Sequence, residues 1–375
     1  MHYTLHLTTA CNMACKYCYV EQSPAVMPIE VARAAVDAAE KDGGSAGIIF
    51  FGGEPLLHKD LIYETVDYAR HVQAGGHTRF HFKVTTNGLL LDEDFLRFSR
   101  DANLFIALSH DGVQAAHDLN RVDAAGQGTF ERLSPVIDTL LDARPYAPVM
   151  MTIDPSCVKY YAEGVEYLYH RGFRYLICSM NYAGTWDEDA LSELERQYKL
   201  LAKFYEDHTL AEDKFYLSPF EVKLASHIHG ANYCAERCEL GKKQLSVAPD
   251  GNIYPCVQFV GDEEYAIGHI QSGIDKEKRL RLYRINEAEK PSCEGCAVKG
   301  RCNHHCGCLN RQSTGSITKV APSLCAHERI LLPIADRLGA RLYKKRSAMF
   351  IQKQYNDMYP LLSLVEDAKS DMNSL

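Results

Sequence analysis

The stretch Cys11-Asn12-Met13-Ala14-Cys15-Lys16-Tyr17-Cys18 decides how this sequence is interpreted. Its three cysteines, spaced C-x3-C-x2-C, directly follow the apolar alternating segment at residues 3–7. Three thiolates on one short loop can hold three irons of a 4Fe-4S cube and leave the fourth iron open for a ligand that is not protein. The spacing therefore indicates a reactive cluster at the end of a first strand. The alternative is a structural zinc loop that takes a fourth Cys or His from elsewhere in the chain.

The composition is that of an ordinary globular protein. The chain has 375 residues, of which 46% are hydrophobic, and this length predicts two or three domains. Its formal net charge of −8 argues against a nucleic-acid binder, because no long basic stripe is available to neutralise phosphates. No apolar stretch approaches the roughly 20 residues that span a bilayer, and the N-terminus lacks a signal-peptide pattern. The sequence thus predicts a cytoplasmic protein that binds neither nucleic acid nor membrane.

The fourteen cysteines are the second informative feature. Because the cytosol keeps thiols reduced, cysteines in a chain without an export signal are expected to be mostly metal ligands and not disulfides. Eleven of them fall in two groups, at residues 11–18 and 234–308, and Cys325 lies just beyond. Cys157 and Cys178 stand apart and are expected to be small buried hydrophobic residues.

Up to about residue 210, short β-rich segments alternate with helical patterns. This alternation predicts repeated βα units around a parallel sheet, wound by right-handed crossovers into a partial (β/α)6 TIM barrel of the α/β class. The two clearest helices are predicted at 29–41 and 191–208. The six predicted strands are 3–7, 47–51, 79–85, 104–109, 149–153 and 175–178. Active sites of such folds lie where the loops after the strands meet.

After residue 210 the alternation stops and the cysteines become dense. A hairpin is predicted, with strands at 244–248 and 252–255 joined by Pro249-Asp250-Gly251. Beyond Cys325 an apolar stripe predicts a return to helix, and a polar tail starts near Asp367. These changes predict a partial barrel over 1–212, a small cysteine-rich domain over 213–340 and a helical C-terminal tail over 341–375.

Polar residues follow the ends of the predicted strands. Gly52-Gly53-Glu54 ends the second strand, where the glycines let backbone approach a ligand and Glu54 brings an acceptor to the edge that carries the cysteine loop. Asn87 follows the third strand, Ser109 ends the fourth, and Arg121 comes twelve residues later. Because parallel strands end at one edge, these side chains are expected to face a common ligand.

Here the sequence resembles the radical S-adenosylmethionine (SAM) enzymes. Their cluster loop is the same C-x3-C-x2-C, with an aromatic residue at the position that Tyr17 occupies. The resemblance implies that Cys11, Cys15 and Cys18 are the catalytic cluster ligands and that Tyr17 belongs to the SAM site. It also implies cleavage of SAM to methionine and a 5′-deoxyadenosyl radical, which abstracts a hydrogen atom from the substrate.

The same resemblance assigns the strand-end residues. The Gly52-Gly53-Glu54 turn matches the motif that binds the methionine amino group of SAM, and Asn87 is expected to face the cofactor. Ser109 and Arg121 are candidates for contacts with the SAM ribose or carboxylate. The alternative is that Ser109 caps a turn and Arg121 makes a surface ion pair.

The later cysteines have a spacing of their own. Cys238 is followed by twelve residues, Gly251, four residues and Cys256, and Cys293-x2-Cys296-x5-Cys302-x3-Cys306 and Cys325 come after two gaps. This pattern is similar to that of the SPASM domain, the C-terminal module of peptide- and protein-modifying radical SAM enzymes.

That similarity implies two auxiliary 4Fe-4S clusters, and three clusters in all. The ligands implied for the first are Cys234, Cys238, Cys256 and Cys306, and those for the second are Cys293, Cys296, Cys302 and Cys325. Cys308 is surplus in this assignment, and His304 and His305 are expected to be loop residues. A pair of structural zinc sites is the alternative that the C-x2-C spacing alone permits.

One local detail bears on the reaction. Sulfatase-maturating enzymes place an aspartate directly after the cysteine of the G-x4-C element, whereas this chain has Val257 after Cys256. The run Cys-x-Gln-Phe-Val-Gly instead resembles maturases of cysteine-rich ribosomal peptides that install thioether bonds. The resemblance therefore favours a radical SAM peptide maturase that forms an oxidative crosslink, with a Cys thioether of the sactipeptide or ranthipeptide type as the first expectation.

The expected partners are a cysteine-containing precursor peptide and a flavodoxin- or ferredoxin-type electron donor. Because the first strand begins by Tyr3, a separate leader-recognition protein or the helical C-terminus is expected to read any leader. The enzyme alternatives are formylglycine generation as in anaerobic sulfatase maturases, another peptide crosslink or epimerisation, and modification of a small molecule. The non-enzyme alternatives are a multi-cluster electron-transfer protein and a zinc-stapled binding protein.

Overall fold

The computed structural model describes residues 1–230, 238–363 and 365. Its N-terminal part is a series of seven parallel strands with helices between them. The strands are β1 His2–Thr8, β2 Ser45–Gly52, β3 Arg79–Thr86, β4 Leu104–Ser109, β5 Val149–Ile153, β6 Tyr175–Met180 and β7 Tyr216–Leu217. The helices are α1 Ile29–Asp42, α2 Lys59–Gly75, α3 Glu93–Asp101, α4 Gln114–Asn120, α5 Phe130–Ala143, α6 Tyr161–His170, α7 Glu188–Leu210 and α8 Ser218–His229.

The local sequence accounts for where these elements begin. Asp92 and Asp187 are the N-caps of α3 and α7, and their carboxylates accept hydrogen bonds from the backbone N–H groups of Phe95 and Ala190. In β3 the buried and more exposed residues alternate, as expected for a strand with one face toward the core. In β1 every residue after His2 is buried, because both faces of this strand are covered.

The C-terminal part is built from short strands and longer helices. The strands are β8 Gln244–Val247, β9 Asn252–Tyr254, β10 Gly268–His269 and β11 Gly273–Ile274, and the helices are α9 Lys276–Glu287, α10 Gly307–Thr314, α11 Pro322–Lys345 and α12 Ala348–Tyr355. β8 pairs in parallel with β1, from His2 beside Gln244 to Leu5 beside Val247. The hairpin of β8 and β9 therefore extends the barrel sheet, in the order β11-β10-β9-β8-β1-β2-β3-β4-β5-β6-β7.

The predicted fold class is confirmed. All six predicted strands are present with bounds within two residues of the prediction, and the sheet stays open because β1 pairs with β2 and β8 but not with β7. β7 was not predicted, since two residues carry no alternation to detect. The proposed boundary between residues 340 and 341 falls inside α11, which packs on α7 and α8. Among the described residues, no helix has the length and apolar character needed to cross a bilayer.

This topology positions the site. The carboxyl ends of β1 to β4 lie side by side, so the segments that follow them share one edge of the sheet. Residues 9–18 follow β1, residues 53–54 follow β2, Asn87 follows β3, and residues 110–121 follow β4. One contiguous core of buried apolar residues runs from the barrel into the cysteine-rich part, and a small second cluster of Cys293, Val320, Ala321 and Leu324 lies beside it.

Candidate functional site: three groups of cysteines

The first group is the loop that carries Cys11, Cys15 and Cys18. Backbone hydrogen bonds fasten this loop to the end of α4 and the segment after it, from Lys16 N–H to the Asn120 carbonyl (2.9 Å) and from Ala14 N–H to the Val122 carbonyl (2.8 Å). Within the loop, the Cys18 N–H donates to the Cys15 carbonyl at 3.0 Å. The three thiols thus lie on a backbone that is held by the end of α4 and the residues after it, and Cys18 is exposed.

The Gly-Gly-Glu turn packs directly against the start of this loop. A Cβ atom on Gly53 would lie 2.1 Å from the Ala10 carbonyl oxygen, so only glycine permits this approach. The Glu54 carboxylate is buried and accepts hydrogen bonds from Leu56 N–H (2.9 Å), the Thr86 hydroxyl (2.7 Å) and Asn87 N–H (2.8 Å). Burial raises the pKa of Glu54 to about 7, against the lowering effect of these donors. Glu54 therefore ties the ends of β2 and β3 together at the site.

Asn87 links that turn to the cysteine loop. Its side-chain amide donates to Asn12 Oδ1 at 2.7 Å and lies 3.7 Å from Cys11 Sγ. The Met13 N–H also points at Cys11 Sγ, at 3.4 Å. Both donors favour a thiolate at Cys11, whereas burial raises the pKa of the free thiol to about 11.

A buried charged unit supports the other end of the loop. Arg121 Nε lies 3.0 Å from Asp111 Oδ2, and the side chains of both residues are less than a tenth exposed. The Tyr17 hydroxyl donates to the same Asp111 oxygen at 2.5 Å, and Thr152 N–H donates to the other at 2.9 Å. The surface ion pair considered for Arg121 is therefore wrong, because its partner is buried under the loop. Ser109, half-buried, ends β4 two residues before Asp111.

The charges of Arg121 and Asp111 affect the pKa of Cys15 in the cysteine loop. Burial raises the pKa of Cys15, and the Arg121 guanidinium opposes this rise. A cation beside a sulfur favours the thiolate, which is the form that binds iron. Sulfur ligands, N–H donors and a buried cation together fit a 4Fe-4S cluster at this loop.

The second group gathers around the start of α10. Cys306 is the N-cap of this helix, and its Sγ lies 3.4 Å from Cys308 Sγ. Cys238 lies close to Cys306, and Cys256 lies close to Cys308. Three of the four ligands expected for the first auxiliary cluster are thus brought together, and the fourth, Cys234, lies outside the described residues. Cys308, surplus in the prediction, lies among them.

The third group is Cys293, Cys296, Cys302 and Cys325. Cys296 N–H donates to the Cys293 carbonyl at 3.3 Å. Burial raises the pKa of Cys325, and Cys293 and Cys296 are near enough to raise it further. Burial also raises the pKa of Cys302 to about 12, with Glu328 and Cys325 among the neighbours that contribute. All four cysteines expected for the second auxiliary cluster therefore share one site.

Helices of the barrel hold this third group in place. Glu328, three residues after Cys325 on α11, pairs with Lys223 of α8 at 2.7 Å, and both side chains are buried. Each ring nitrogen of His327 forms a hydrogen bond of 2.7 Å with a tyrosine hydroxyl, Nδ1 with Tyr182 and Nε2 with Tyr198. These contacts fix the first turns of α11 against the barrel.

Tyr19, the residue after the cysteine loop, lies near both of the first two groups. Desolvation raises the pKa of Tyr19, and Cys256, Cys18 and Cys308 are near enough to add to this rise. Its side chain is still 43% exposed. Tyr19 therefore lies near both the loop and the second group, with part of its surface open to solvent.

In the described part of the chain, all thirteen cysteines are free. No three His, Cys, Asp or Glu side chains in these ranges are grouped as ligands of a single metal ion. Cluster ligands each bind a different iron, so the cluster interpretation does not need such a grouping.

Two residues of these groups were not assigned from the sequence. Asp111 follows β4 at the edge where site residues were expected, and its carboxylate at that position could have marked it as a site residue. Cys308 could have been found from its spacing of two residues from Cys306. Neither signal says which partner the side chain meets, because both depend on contacts between distant segments.

Residues 5–190 match the Radical SAM superfamily, and residues 238–303 match the SPASM iron–sulfur cluster-binding domain. A cysteine-type anaerobic sulfatase-maturating enzyme of Clostridium perfringens is 22% identical over 321 residues, which cover 80% of this chain and 86% of that protein. The antilisterial bacteriocin subtilosin biosynthesis protein AlbA of Bacillus subtilis is 25% identical over 325 residues, which cover 82% of this chain and 66% of that protein.

Among solved structures, native anSMEcpe with bound AdoMet and Cp18Cys peptide superposes with a TM-score of 0.79 at 20% identity, over 92% of this chain and 98% of that one. This likeness confirms the fold. The matched domains are of the types that bind SAM and 4Fe-4S clusters, which confirms the predicted cofactors. The chain belongs to the radical SAM superfamily and carries a SPASM iron–sulfur cluster-binding domain.

Proposed function

We propose that this enzyme is a cytoplasmic peptide maturase that forms a Cys thioether crosslink in a ribosomally made precursor peptide. Cys11, Cys15 and Cys18 hold the cluster that binds SAM, and the two later cysteine groups hold the auxiliary clusters, Cys234 being proposed as a ligand of the first. The bound cluster and SAM supply a 5′-deoxyadenosyl radical that abstracts a hydrogen atom from the peptide. A flavodoxin- or ferredoxin-type protein delivers the electron.

The observation that carries the thioether proposal is the residue after Cys256. Val257 occupies the position where sulfatase-maturating enzymes carry an aspartate base, and it begins a short 3₁₀ turn, Val257–Phe259. Phe259 anchors this turn by packing on Tyr265, with ring centroids 4.4 Å apart. The next acidic residue, Asp262, pairs with Arg311 at 3.0 Å. Cys256 is therefore followed in sequence by an apolar residue, and the next carboxylate along the chain is engaged by Arg311.

The reaction balances as a two-electron oxidation. A thioether crosslink replaces one S–H and one C–H bond of the peptide by one C–S bond. One hydrogen atom goes to the adenosyl radical, the remaining electron would go to an auxiliary cluster held by the later cysteine groups, and the thiol proton would go to solvent. In this proposal the peptide binds beside Tyr19, because Tyr19 is partly exposed and lies near both the cysteine loop and the thiols of the first auxiliary group.

A second candidate is formylglycine generation in a sulfatase. It is favoured by the similarity to the Clostridium perfringens sulfatase-maturating enzyme over 80% of this chain. In that case the proton acceptor has to be a group other than a residue at position 257. The two candidates share the SAM loop and differ in the peptide and in the proton acceptor.

The two candidates are separated by their products. The reconstituted enzyme, SAM and dithionite are incubated with a cysteine-rich candidate peptide and, in parallel, with a sulfatase-derived peptide. The thioether proposal predicts a mass loss of two hydrogens and one fewer alkylatable thiol for each crosslink. Formylglycine in the sulfatase peptide, with an unchanged cysteine-rich peptide, would reject it in favour of the second candidate.

A further inference from the structure

We propose that Lys83, on the inner face of the sheet, binds a carboxylate group of the peptide substrate. This inference rests on the proposed function, because it names a feature of the peptide that the enzyme selects. The carboxylate belongs to an acidic side chain or to the C-terminus of the peptide, and separate peptides distinguish these two sources.

The two faces of the sheet are distinguished by their contacts. The hydroxyl of Tyr3 in β1 donates to Asp42, the last residue of α1, at 2.8 Å, so the face that carries Tyr3 packs against the helices. Phe82 and Val84 of β3 belong to the same apolar core. Because successive side chains of a strand point to opposite faces, Lys83 lies on the other, inner face.

The inner face carries basic side chains close to one another. Along β3 it presents Arg79, His81 and Lys83. The register places Gly47 of β2 between His2 of β1 and His81. A Cβ atom on Gly47 would lie 2.1 Å from His2 Nδ1, so the His2 ring covers this position of β2. Basic groups of two strands therefore share one part of the face.

The described strands supply no carboxylate that could balance these charges. In β1 to β11 there is no Asp or Glu. Glu54 and Asp111, which follow β2 and β4, are already engaged by several partners. Burial lowers the pKa of Lys83, and no described group opposes this effect, as a nearby carboxylate would. Within the described residues, Lys83 is thus a cation without a counter-charge.

The surroundings of Lys83 suit an anionic ligand. Lys83 and Thr85 are half-buried, whereas His81, nearer the amino end of β3, is exposed. Solvent therefore reaches the inner face beside Lys83. A partly desolvated ammonium group attracts an anion more strongly than an exposed one, because less water screens the charge.

His6 provides a second, independent observation on this face. The register joins Thr4 to Ile49 and Ile49 to Lys83, so His6 lies one inner position nearer the cysteine loop than Lys83. Its ring is buried, and within the described residues neither ring nitrogen has a hydrogen-bond partner. Buried polar groups normally have such a partner. A polar ligand that extends from Lys83 toward the loop would pass this ring.

The position of Lys83 in β3 sets the spacing expected in the peptide. Lys83 lies four positions before Asn87, whose amide donates to Asn12 of the cysteine loop at 2.7 Å. At about 3.3 Å per residue, this part of the strand spans about 13 Å. An extended peptide covers the same distance in about four residues. The carboxylate is therefore expected about four residues from the carbon that reacts.

The test measures binding of three synthetic peptides to the full chain with its clusters, prepared without oxygen. Each peptide is acetyl-Cys-Gly-Ser-Gly followed by Glu amide, by Gln with a free carboxylate, or by Gln amide. We expect one of the two anionic peptides to bind roughly tenfold to a hundredfold more tightly than the neutral peptide, as measured by anaerobic titration calorimetry. Because the chain has a formal net charge of −8, unspecific attraction does not favour an anionic peptide.

Substitutions assign that preference to one side chain. Lys83→Met removes the charge and should bind the three peptides equally, whereas Lys83→Arg should keep the preference. Lys276→Met removes an exposed charge of α9 and should also keep it. Formation of 5′-deoxyadenosine without peptide should be unchanged in Lys83→Met, which shows that this variant is folded. Lys83→Gln replaces it if Lys83→Met folds poorly.

Equal binding of the three peptides by the unsubstituted chain would overturn the proposal, and so would the absence of measurable binding. A preference that survives in Lys83→Met would overturn it as well. None of these outcomes depends on a crosslink. A peptide that is bound through its carboxylate but never crosslinked would count against the thioether reaction and support this site.

Discussion

The cysteine loop after β1 and the cysteine groups of the C-terminal part place thiols for iron in different ways. The loop spans eight residues, its last thiol is exposed, and its partners are polar groups at the ends of neighbouring strands. The later groups collect cysteines from segments up to seventy residues apart, and Cys256, Cys293, Cys302 and Cys308 are buried. A reactive cluster must leave an iron open to SAM, whereas a closed cluster is covered by its ligands. The two kinds of site therefore differ at their extremes, one exposed thiol in the loop and four buried thiols in the later groups, while the other described cysteines of both are partly buried.

The largest expected effect comes from breaking the loop. In Cys15→Ala we expect SAM cleavage to fall to background, because only two thiolates remain for a cluster that needs three. The iron content should fall by about four per chain. 5′-Deoxyadenosine measured by mass spectrometry and iron measured on the same sample check this, with Cys157→Ala as the control. Continued cleavage of SAM by Cys15→Ala would show that the loop does not hold the reactive cluster.

Removing one cysteine of the third group should stop crosslinking without stopping SAM cleavage, and so distinguish the auxiliary site from the reactive one. Cys302→Ala removes a proposed ligand of the second auxiliary cluster and leaves the cysteine loop unchanged, so about four irons should be lost while dithionite still drives 5′-deoxyadenosine formation. The crosslinked peptide should no longer form. Iron content, 5′-deoxyadenosine and peptide mass are measured together. A loss of SAM cleavage equal to that of Cys15→Ala would contradict the division into reactive and auxiliary sites.

The buried unit under the loop can be tested through stability. Asp111→Asn leaves the buried Arg121 guanidinium without its counter-charge, so we expect a loss of about 3–5 kcal/mol in the free energy of unfolding. Asp94→Asn breaks an exposed pair with Arg97 and should cost less than about 1 kcal/mol. Anaerobic urea unfolding measures both. Equal losses of unfolding free energy in the two variants would mean that the pair of Asp111 and Arg121 contributes no more than an exposed ion pair.

The smallest effect concerns His6 inside β1. Both ring nitrogens are buried and, within the described residues, unpaired, and burial lowers the pKa of His6 to about 4. Between pH 6.5 and 4 the unfolded chain binds a proton that the folded chain does not, so stability falls as the pH falls. From pH 7 to pH 5 the unsubstituted chain should lose about 2 kcal/mol of unfolding free energy relative to His6→Leu.

Urea unfolding at the two pH values measures this difference. His71→Leu, at an exposed position of α2, controls for the substitution itself. A difference between His6→Leu and the unsubstituted chain that stays constant from pH 7 to pH 5 would contradict the buried, neutral state of His6.

The strands and the site edge could be predicted because their signals are local. Alternating apolar residues identified β1 to β6, and the polar residues after them identified the edge at which the loop, Glu54 and Asn87 meet. The joining of β8 to β1 was not predicted. An open edge accepts any strand of suitable register, and nothing in residues 244–247 names its partner.

The sequence by itself determined the chemistry of this protein: the C-x3-C-x2-C loop, the Gly-Gly-Glu turn and the later cysteine spacings are short-range patterns of ligands. Only the tertiary structure decided how Arg121, Asp111 and Tyr17 combine under the loop and that Cys308 lies among the thiols of the first auxiliary group. The physical reason is that ligand type and spacing are properties of the chain, whereas a buried charge or a buried thiol acquires its role from the distant groups packed against it.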